Sequence, residues 1–319
     1  MSLPSLLQTI KHSLFDRHKI TVMIKRDDLI HPIISGNKWR KLKYNIEHAK
    51  KHRKKGIISF GGAYSNHIHA LAFACFQENI PCIGIIRGEH HYANNFTLSW
   101  ARHWQMKLSF VDRKTYRLRA DNNYLNELQA LYPEHLIVPE GGSNALAIKG
   151  VTEVIDELNL QTQFDTLLTP VGSGGTLAGL ISGDKNQHEI LGIAVLKQGE
   201  QESDYLSNEV SSLLPFEAKS YNNWQVMSNF HRGGYAKFTK EDSQRIFAFN
   251  QATGINFEPV YSGKMLLALL DLIEQGYFPE KHRIVMLHTG GLQSLGGLNE
   301  RGIIDNKGWN IPHTVPPNK

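Results

Sequence analysis

The sequence predicts an α/β fold in which two open, twisted parallel sheets are covered by helices on both faces. Short β-branched runs alternate with longer segments of helical periodicity, which is the pattern of repeated βαβ units. The chain has 319 residues, more than a typical single domain, and this length favours two lobes, with one large α/β domain as the alternative.

Seven apolar runs, each followed by loop residues, are the predicted strands. They are 56–61, 82–87, 108–112, 136–139, 166–170, 190–196 and 283–288. The segments between the later strands are long enough for crossover helices. A helix near 150–163 is expected to lead the chain from one lobe to the other. We therefore predict a discontinuous large domain of residues 1–49 and 155–319, and a small α/β domain of residues 50–154.

Composition excludes several classes of function. The formal net charge is +5, and its 35 Lys and Arg are interspersed with 30 Asp and Glu, so no continuous nucleic-acid footprint emerges. No apolar run approaches the roughly 20 residues that a membrane-spanning helix needs. The histidines lack the spacing of strong metal motifs. Two cysteines, Cys75 and Cys82, are too few for a disulfide framework, which favours a reducing, cytoplasmic location.

A lysine stands at the start of the first strongly periodic helix. Trp39, Leu42, Ile46 and Ala49 recur at helical spacing and define its buried stripe. Lys38 precedes this stripe, where desolvation, the positive end of the helix dipole and neighbouring cations would lower the pKa of its amine and make it nucleophilic. The alternative is an ordinary solvated lysine.

A glycine-containing turn follows the strand 56–61. It leads through Ser65 and Asn66 into a helix, at the strand end where active-site groups concentrate. The Asn66 amide could bind a phenolate-like oxygen, and the Ser65 hydroxyl could lie beside a reacting carbon. The alternative for either residue is simple capping of the helix.

The segment Gly172, Ser173, Gly174, Gly175 and Thr176 lies between an apolar strand and an apolar helix. Its glycines allow backbone N–H groups to converge on an anion, and the helix start adds a positive dipole end. No Lys follows as in a Walker loop, and a GxGxxG dinucleotide fingerprint is missing. A phosphate-bearing cofactor fits this loop, and a tight turn that serves only packing is the alternative.

Eight segments in this order resemble the fold-type II pyridoxal phosphate enzymes, specifically the group of 1-aminocyclopropane-1-carboxylate deaminase and D-cysteine desulfhydrase. The resemblance covers nearly the whole chain. The matching segments are KRDD, SGNKWRKLKY, GGAYSNHIHA, PEGGSNALAIKG, VGSGGTLAGL, GGYAK, EPVYSGK and HTGG. It implies a tryptophan synthase beta-like architecture, with pyridoxal 5′-phosphate in the cleft between the two domains.

The resemblance also implies roles for single residues. Lys38 corresponds to the lysine that holds the cofactor as a Schiff base, and Asn66 to the residue that bonds its ring hydroxyl. Ser65 would lie near the substrate. Lys41 and the amides of Gly172–Thr176 match phosphate contacts, whereas Tyr235 and Tyr261 match tyrosines of the substrate site with phenols suited to acid or base roles.

Two positions distinguish the branches of this group. The deaminase branch has Glu after the tyrosine of EPVYSGK and Leu after the histidine of HTGG, whereas the desulfhydrase branch has hydroxyl residues. This chain has Ser262 and Thr289. A neutral hydroxyl beside the pyridine nitrogen tends to leave it unprotonated and a weaker electron sink, which favours β-elimination. The departures Trp39 and Tyr64 could reshape the pocket.

The resemblance predicts a lyase or deaminase that converts a small amino acid to ammonia and an oxo acid, with D-cysteine-type β-elimination preferred. The alternatives are ring opening of 1-aminocyclopropane-1-carboxylate and a catalytically inactive ligand-binding homologue. A dehydrogenase would need a dinucleotide fingerprint that the chain lacks. Enzymes with this resemblance are commonly homodimers, and neither nucleic acid nor a membrane is an expected partner.

Overall fold

The computed structural model describes residues 1–197, 204–304 and 309–311. In these ranges the strands are β1 (Leu7–Ile10), β2 (Thr21–Lys25), β3 (Gly56–Gly62), β4 (Cys82–Arg87), β5 (Lys107–Val111), β6 (His135–Val138), β7 (Thr166–Val171), β8 (Glu189–Ala194), β9 (Trp224–Met227) and β10 (Arg283–Leu287). The helices are α1 (Ser13–Arg17), α2 (Lys38–Lys51), α3 (Asn66–Gln77), α4 (Phe96–His103), α5 (Arg113–Arg117), α6 (Asn122–Leu131), α7 (Ala145–Gln161), α8 (Gly175–Asp184), α9 (Tyr205–Leu213), α10 (Lys240–Thr253), α11 (Ser262–Glu274) and α12 (Ser294–Glu300).

The chain divides into two compact units. The first unit contains Met1–Asn37 and Val151–Leu292, and the second contains Lys38–Gly150 and Gln293–Lys319. Helix α7 carries the chain from the second unit into the first. The division falls at other residues than the expected domain bounds, 1–49 with 155–319 and 50–154, which stay a prediction about folding domains.

The first unit is built on a six-stranded sheet with the order β1-β2-β10-β7-β8-β9. β1 pairs antiparallel with β2, and all other pairs are parallel. Helix α11 belongs to its core, because eleven of its 13 residues are buried. A helix that is buried nearly all round is held in place by packing, which fixes the position of its first residue, Ser262.

The second unit contains a four-stranded sheet with the order β5-β4-β3-β6, in which every pair is parallel. β3 lies inside the sheet, and six of its seven residues are buried. Apolar side chains of β3 and β4, including Ile58, Phe60, Ile83 and Ile85, form one cluster of the core. The chain leaves the carboxyl end of β3 through a turn and enters α3, and this end of a parallel sheet is where ligands bind.

The predicted α/β class with parallel sheets is confirmed, and all seven predicted strands are present with bounds that differ by at most two residues. Three strands were missed: β1, β2 and β9. The antiparallel β1 also departs from the expected parallel pairing. β1 and β9 have four residues each, too few to establish an alternating pattern. Across the described ranges, the helices are too short or too polar to cross a bilayer.

Candidate active site

The segment that precedes Lys38 is tightly anchored within the first unit. Gly36 has φ +75°, and a Cβ there would lie 1.7 Å from the carbonyl oxygen of Thr289, so any side chain would clash with backbone. Asn37 donates from Nδ2 to Oγ1 of Thr176 at 2.6 Å. The chain therefore reaches Lys38, the first residue of α2, from a point bonded to the predicted phosphate loop.

Lys41 is a buried cation in the second unit. Its side chain is embedded (residue exposure 2%), and Nζ donates to Oγ of Ser143 at 3.0 Å. Burial lowers the pKa of Lys41 well below its usual value, and the charge of Lys38 lowers it further. Within the described ranges no carboxylate lies at ion-pairing distance from Lys41. A buried ammonium without a carboxylate is suited to an anionic ligand.

Ser65 and Asn66 begin α3, also in the second unit. The hydroxyl of Ser65 accepts from the backbone N–H of Ile68 at 3.3 Å, so Ser65 does cap the helix. This capping uses a lone pair and leaves the hydroxyl proton available to a ligand. Asn66 is the first helical residue and is half-buried. Both side chains thus lie at the carboxyl end of β3, as the sequence predicts.

His67 has partners that the sequence did not predict. Ser59 donates from Oγ to the carbonyl oxygen of Val138 at 2.8 Å, and the same Oγ lies 2.8 Å from Nε2 of His67. Because the Ser59 proton is already used, the imidazole donates through its Nε2–H. Burial lowers the pKa of His67 well below its usual value, with Lys41 and Lys38 adding to the effect, so this ring is uncharged.

The glycine loop in the first unit has the geometry of an anion cradle. Gly174 has φ +75° and directly precedes α8, whose first backbone N–H groups and positive dipole end are suited to an anion. The N–H of Gly175 donates to the carbonyl of Ser173 at 3.0 Å, so this amide is less available than predicted. The hydroxyl of Thr176 accepts from Asn37, and its own proton remains to be donated.

Tyr261 and Tyr235 lie together in the first unit. Their rings meet edge to face, with centroids 5.8 Å apart, and a Cβ on Gly172 would lie 3.2 Å from the ring of Tyr261. Gly172 therefore gives this tyrosine room against the loop. Lys264 is fully buried and donates from Nζ to the carbonyl oxygens of Val195, His231 and Gly234. It thereby ties the loop that carries Tyr235 to α11.

The predicted site residues form two sets, one in each unit. The first unit holds Gly172, Ser173, Gly174, Gly175, Thr176, Tyr235, Tyr261, Ser262 and Thr289. The second holds Lys38, Lys41, Ser65 and Asn66. Sequence reasoning missed the contacts of Asn37, Ser59, Ser143, Glu258 and Lys264. All five lie in or beside segments with motif character, but only three-dimensional contacts reveal their partners.

Both sets fit pyridoxal phosphate. Lys41 is a buried cation suited to a phosphate, and the loop before α8 offers backbone donors to the same kind of group. Lys38 supplies an amine at the start of α2, and Asn66 supplies a side-chain amide at the start of α3.

Comparisons with known proteins agree with this fit. A protein of Pyrococcus horikoshii, whose name gives it provisionally as a 1-aminocyclopropane-1-carboxylate deaminase, is 29% identical over 85% of this chain and 84% of its own. The D-cysteine desulfhydrase of Klebsiella pneumoniae (strain 342) is 26% identical, over 86% of this chain and 88% of its own. A crystal structure of an ACC deaminase homologue superposes with a TM-score of 0.79 at 26% identity, and the match covers 95% of this chain and 94% of that one.

The family model for the pyridoxal-phosphate dependent enzymes matches residues 9–290. This match spans both sets of site residues and most of the chain. The chain belongs to the family of pyridoxal-phosphate dependent enzymes.

Proposed function

We propose that this enzyme eliminates a leaving group from the β-carbon of a small D-amino acid, with D-cysteine as the model substrate. The products would be ammonia, an oxo acid and, from D-cysteine, hydrogen sulfide. The observation that carries the proposal is the pair of hydroxyl side chains at Ser262 and Thr289, both buried in the first unit, within the segments EPVYSGK and HTGG. The relatives named D-cysteine desulfhydrase support it.

In this proposal the chain's own residues divide the work of holding the cofactor. Lys38 binds it covalently, Lys41 and the Gly172–Thr176 loop hold its phosphate, and Asn66 bonds its ring hydroxyl. Ser262 and Thr289 face its ring. When bound, the cofactor supplies an electron sink for the pair of electrons released at the α-carbon.

The two tyrosines and Ser65 act on the substrate. Ser65 keeps its hydroxyl proton for the substrate carboxylate, because its lone pair already accepts from Ile68. The Tyr261 and Tyr235 phenols can each hold or move a proton at Oη, and their edge-to-face contact orients one ring against the other. Tyr235 is 43% exposed, which suits exchange of its proton with water.

A second candidate is ring opening of 1-aminocyclopropane-1-carboxylate. It is favoured by the Pyrococcus horikoshii relative and the similar crystal structure, whose names refer to that deaminase. A catalytically inactive homologue that only binds the cofactor is a third candidate, and the presence of Lys38 at the start of α2 argues against it.

The setting of the enzyme is also part of the proposal. We infer a cytoplasmic homodimer whose partner is a small amino-acid substrate. Two free, buried cysteines support a reducing compartment, and the dispersed charge supports the expectation that nucleic acid is not a partner.

Two measurements on the purified holoenzyme test the proposal. Borohydride reduction followed by mass spectrometry should place the cofactor on Lys38, and a label on Lys41 or Lys43 would reject the assignment. The kcat/KM for ammonia and oxo-acid release should be higher with D-cysteine than with 1-aminocyclopropane-1-carboxylate. The reverse order would establish the deaminase alternative, and a bound cofactor without turnover of any D- or L-amino acid would establish the inactive homologue.

A further inference from the structure

Glu258 is a buried carboxylate just before α11 that has no role in the proposed function. It is 0% exposed. Its carboxylate accepts from the backbone N–H groups of Val260 at 2.6 Å, Tyr261 at 2.9 Å and Ser262 at 2.7 Å. These bonds hold the turn that carries Tyr261 and Ser262.

Glu258 also controls the single proton of the Ser262 hydroxyl. The backbone N–H of Glu258 donates to Oγ of Ser262 at 3.2 Å, and the same Oγ donates to Oε1 of Glu258 at 3.1 Å. A serine hydroxyl has one proton to give. While Glu258 is ionised, Ser262 therefore offers only a lone pair to any third group, whereas a protonated Glu258 would release the serine proton to that group.

The surroundings of Glu258 make both ionisation states accessible. Burial raises the pKa of Glu258 to about 7, against the opposing effect of its hydrogen bonds from the Ser262, Val260 and Tyr261 amides. Burial lowers the pKa of Lys264, a cation in the first turn of α11, and attraction to Glu258 opposes this lowering. Asp242 and Arg232 act on Lys264 in turn. On the neighbouring β10 side, the ring of His288 stacks 4.6 Å from that of Phe257, the residue before Glu258.

We propose that Glu258 is a positioning residue that governs, through the hydroxyl of Ser262, the proton on the ring nitrogen of the cofactor. The inference rests on the proposed function, which places Ser262 at that nitrogen. When the carboxyl group of Glu258 gives its proton to Oγ, the original hydroxyl proton of Ser262 passes to the nitrogen. Two protons shift along this relay, so that the net change is one proton transferred from Glu258 to the ring nitrogen, and the hydroxyl is regenerated.

This linkage changes the expected effect of Ser262 on the ring nitrogen. A hydroxyl alone would leave the ring nitrogen unprotonated, but a hydroxyl bonded to a buried carboxylate connects that nitrogen to a second acid. The electron sink would then strengthen or weaken with the protonation of Glu258. If Glu258 served only to cap α11, its hydrogen bonds from the backbone amides would suffice, and its bond to the Ser262 hydroxyl would not be needed.

The ring nitrogen itself reports on this linkage. Wild type, Ser262→Ala and Ser262→Thr are loaded with ¹⁵N-labelled pyridoxal phosphate, and the nitrogen resonance is followed by NMR from about pH 5.5 to about pH 8.5, across the pKa of Glu258. In wild type the resonance should titrate near that pKa. Ser262→Ala keeps the hydrogen bonds from the backbone amides to the Glu258 carboxylate but breaks the linkage through the hydroxyl. The midpoint of the nitrogen titration should then move by about one pH unit or more. Ser262→Thr keeps the hydroxyl and should restore the wild-type midpoint.

A Glu258→Gln variant gives a second reading where it folds, since an amide that does not ionise should abolish the transition near pH 7. Identical titration curves in wild type and Ser262→Ala, with full cofactor occupancy in both, would overturn the inference and leave the proposed function intact. Failure of wild type to hold the cofactor on Lys38 would instead overturn the proposed function.

Discussion

Replacing Lys41 with Met should lower the affinity for the cofactor without lowering the stability of the cofactor-free protein. Lys41 is buried at 2% exposure, donates to Ser143 and has no carboxylate partner in the part of the chain that the structure describes. An apolar side chain of similar length removes the cost of desolvating this ammonium, so the cofactor-free variant should unfold at the same denaturant concentration as wild type or at a higher one.

Cofactor affinity should fall, because a hydrogen bond between charged groups contributes about 1.5 to 3 kcal/mol. This loss corresponds to a rise in Kd of about 10- to 140-fold. Equilibrium dialysis and chemical denaturation of the cofactor-free protein measure the two quantities. Lys51→Met, at the exposed far end of the same helix, is the matched control and should change neither. Destabilisation of the cofactor-free variant with unchanged Kd would refute the assignment of Lys41 to the phosphate.

Two glycines give further predictions. Gly36→Ala should lower both cofactor occupancy and the unfolding temperature, because the new Cβ would overlap the carbonyl of Thr289. The left-handed backbone costs a further 1 to 2 kcal/mol, roughly. Gly276→Ala, also at positive φ but with open space around it, is the control that carries the backbone strain without the overlap. Gly174→Asp should raise the cofactor Kd far more than Gly254→Asp, since only the former places a carboxylate before α8. Gly254 is the matched control, because it is another left-handed glycine with open space around it. Equal cofactor occupancy in the two variants after dialysis would contradict phosphate binding by the Gly172–Thr176 loop.

The parts of the fold and site that are local in sequence could be predicted. An apolar strand followed by a glycine turn and a helix start is encoded within about a dozen residues, so β3 with Ser65 and β7 with Gly174 can be identified from the order of residues alone. The position of Lys38 at the start of α2 follows equally from the helical stripe behind it.

The contacts that complete these segments could not be predicted. Asn37 and Thr176 are 139 residues apart, and no pattern in either segment indicates that they bond. The carboxylate of Glu258 turns onto amides only two to four residues away, but Pro259 and Val260 interrupt any capping pattern. An acidic residue shortly before a buried helix was the available signal, and it required knowing where α11 begins.

The environment of Ser262 also predicts the outcome of introducing a carboxylate there. Changing Ser262 to Glu, together with Thr289 to Leu, follows from the branch pattern as a route towards ring opening. In the structure, however, the Ser262 hydroxyl lies 3.1 Å from Oε1 of Glu258, and both residues are 0% exposed. Two carboxyl groups confined to this space cannot both be ionised without a large cost, so they should share one proton.

The stability of Ser262→Glu should fall as the pH rises. Burial already raises the pKa of Glu258 to about 7, and a second carboxylate raises the shared pKa further, so the folded state of Ser262→Glu holds a proton that the unfolded state releases. Its stability relative to wild type is therefore best below the unfolded pKa and is lost as the pH rises through and beyond 7. The loss should approach about 3 kcal/mol, the lower end of the cost of an uncompensated buried charge.

Urea denaturation at about pH 5.5 and about pH 8.5 measures this loss of stability, with Ser262→Gln as the uncharged control of equal size. If the two variants differ from wild type by the same amount at both pH values, the carboxylates do not interact. If the glutamate variant alone weakens at high pH, a gain in ring opening requires Glu258 to be neutralised as well.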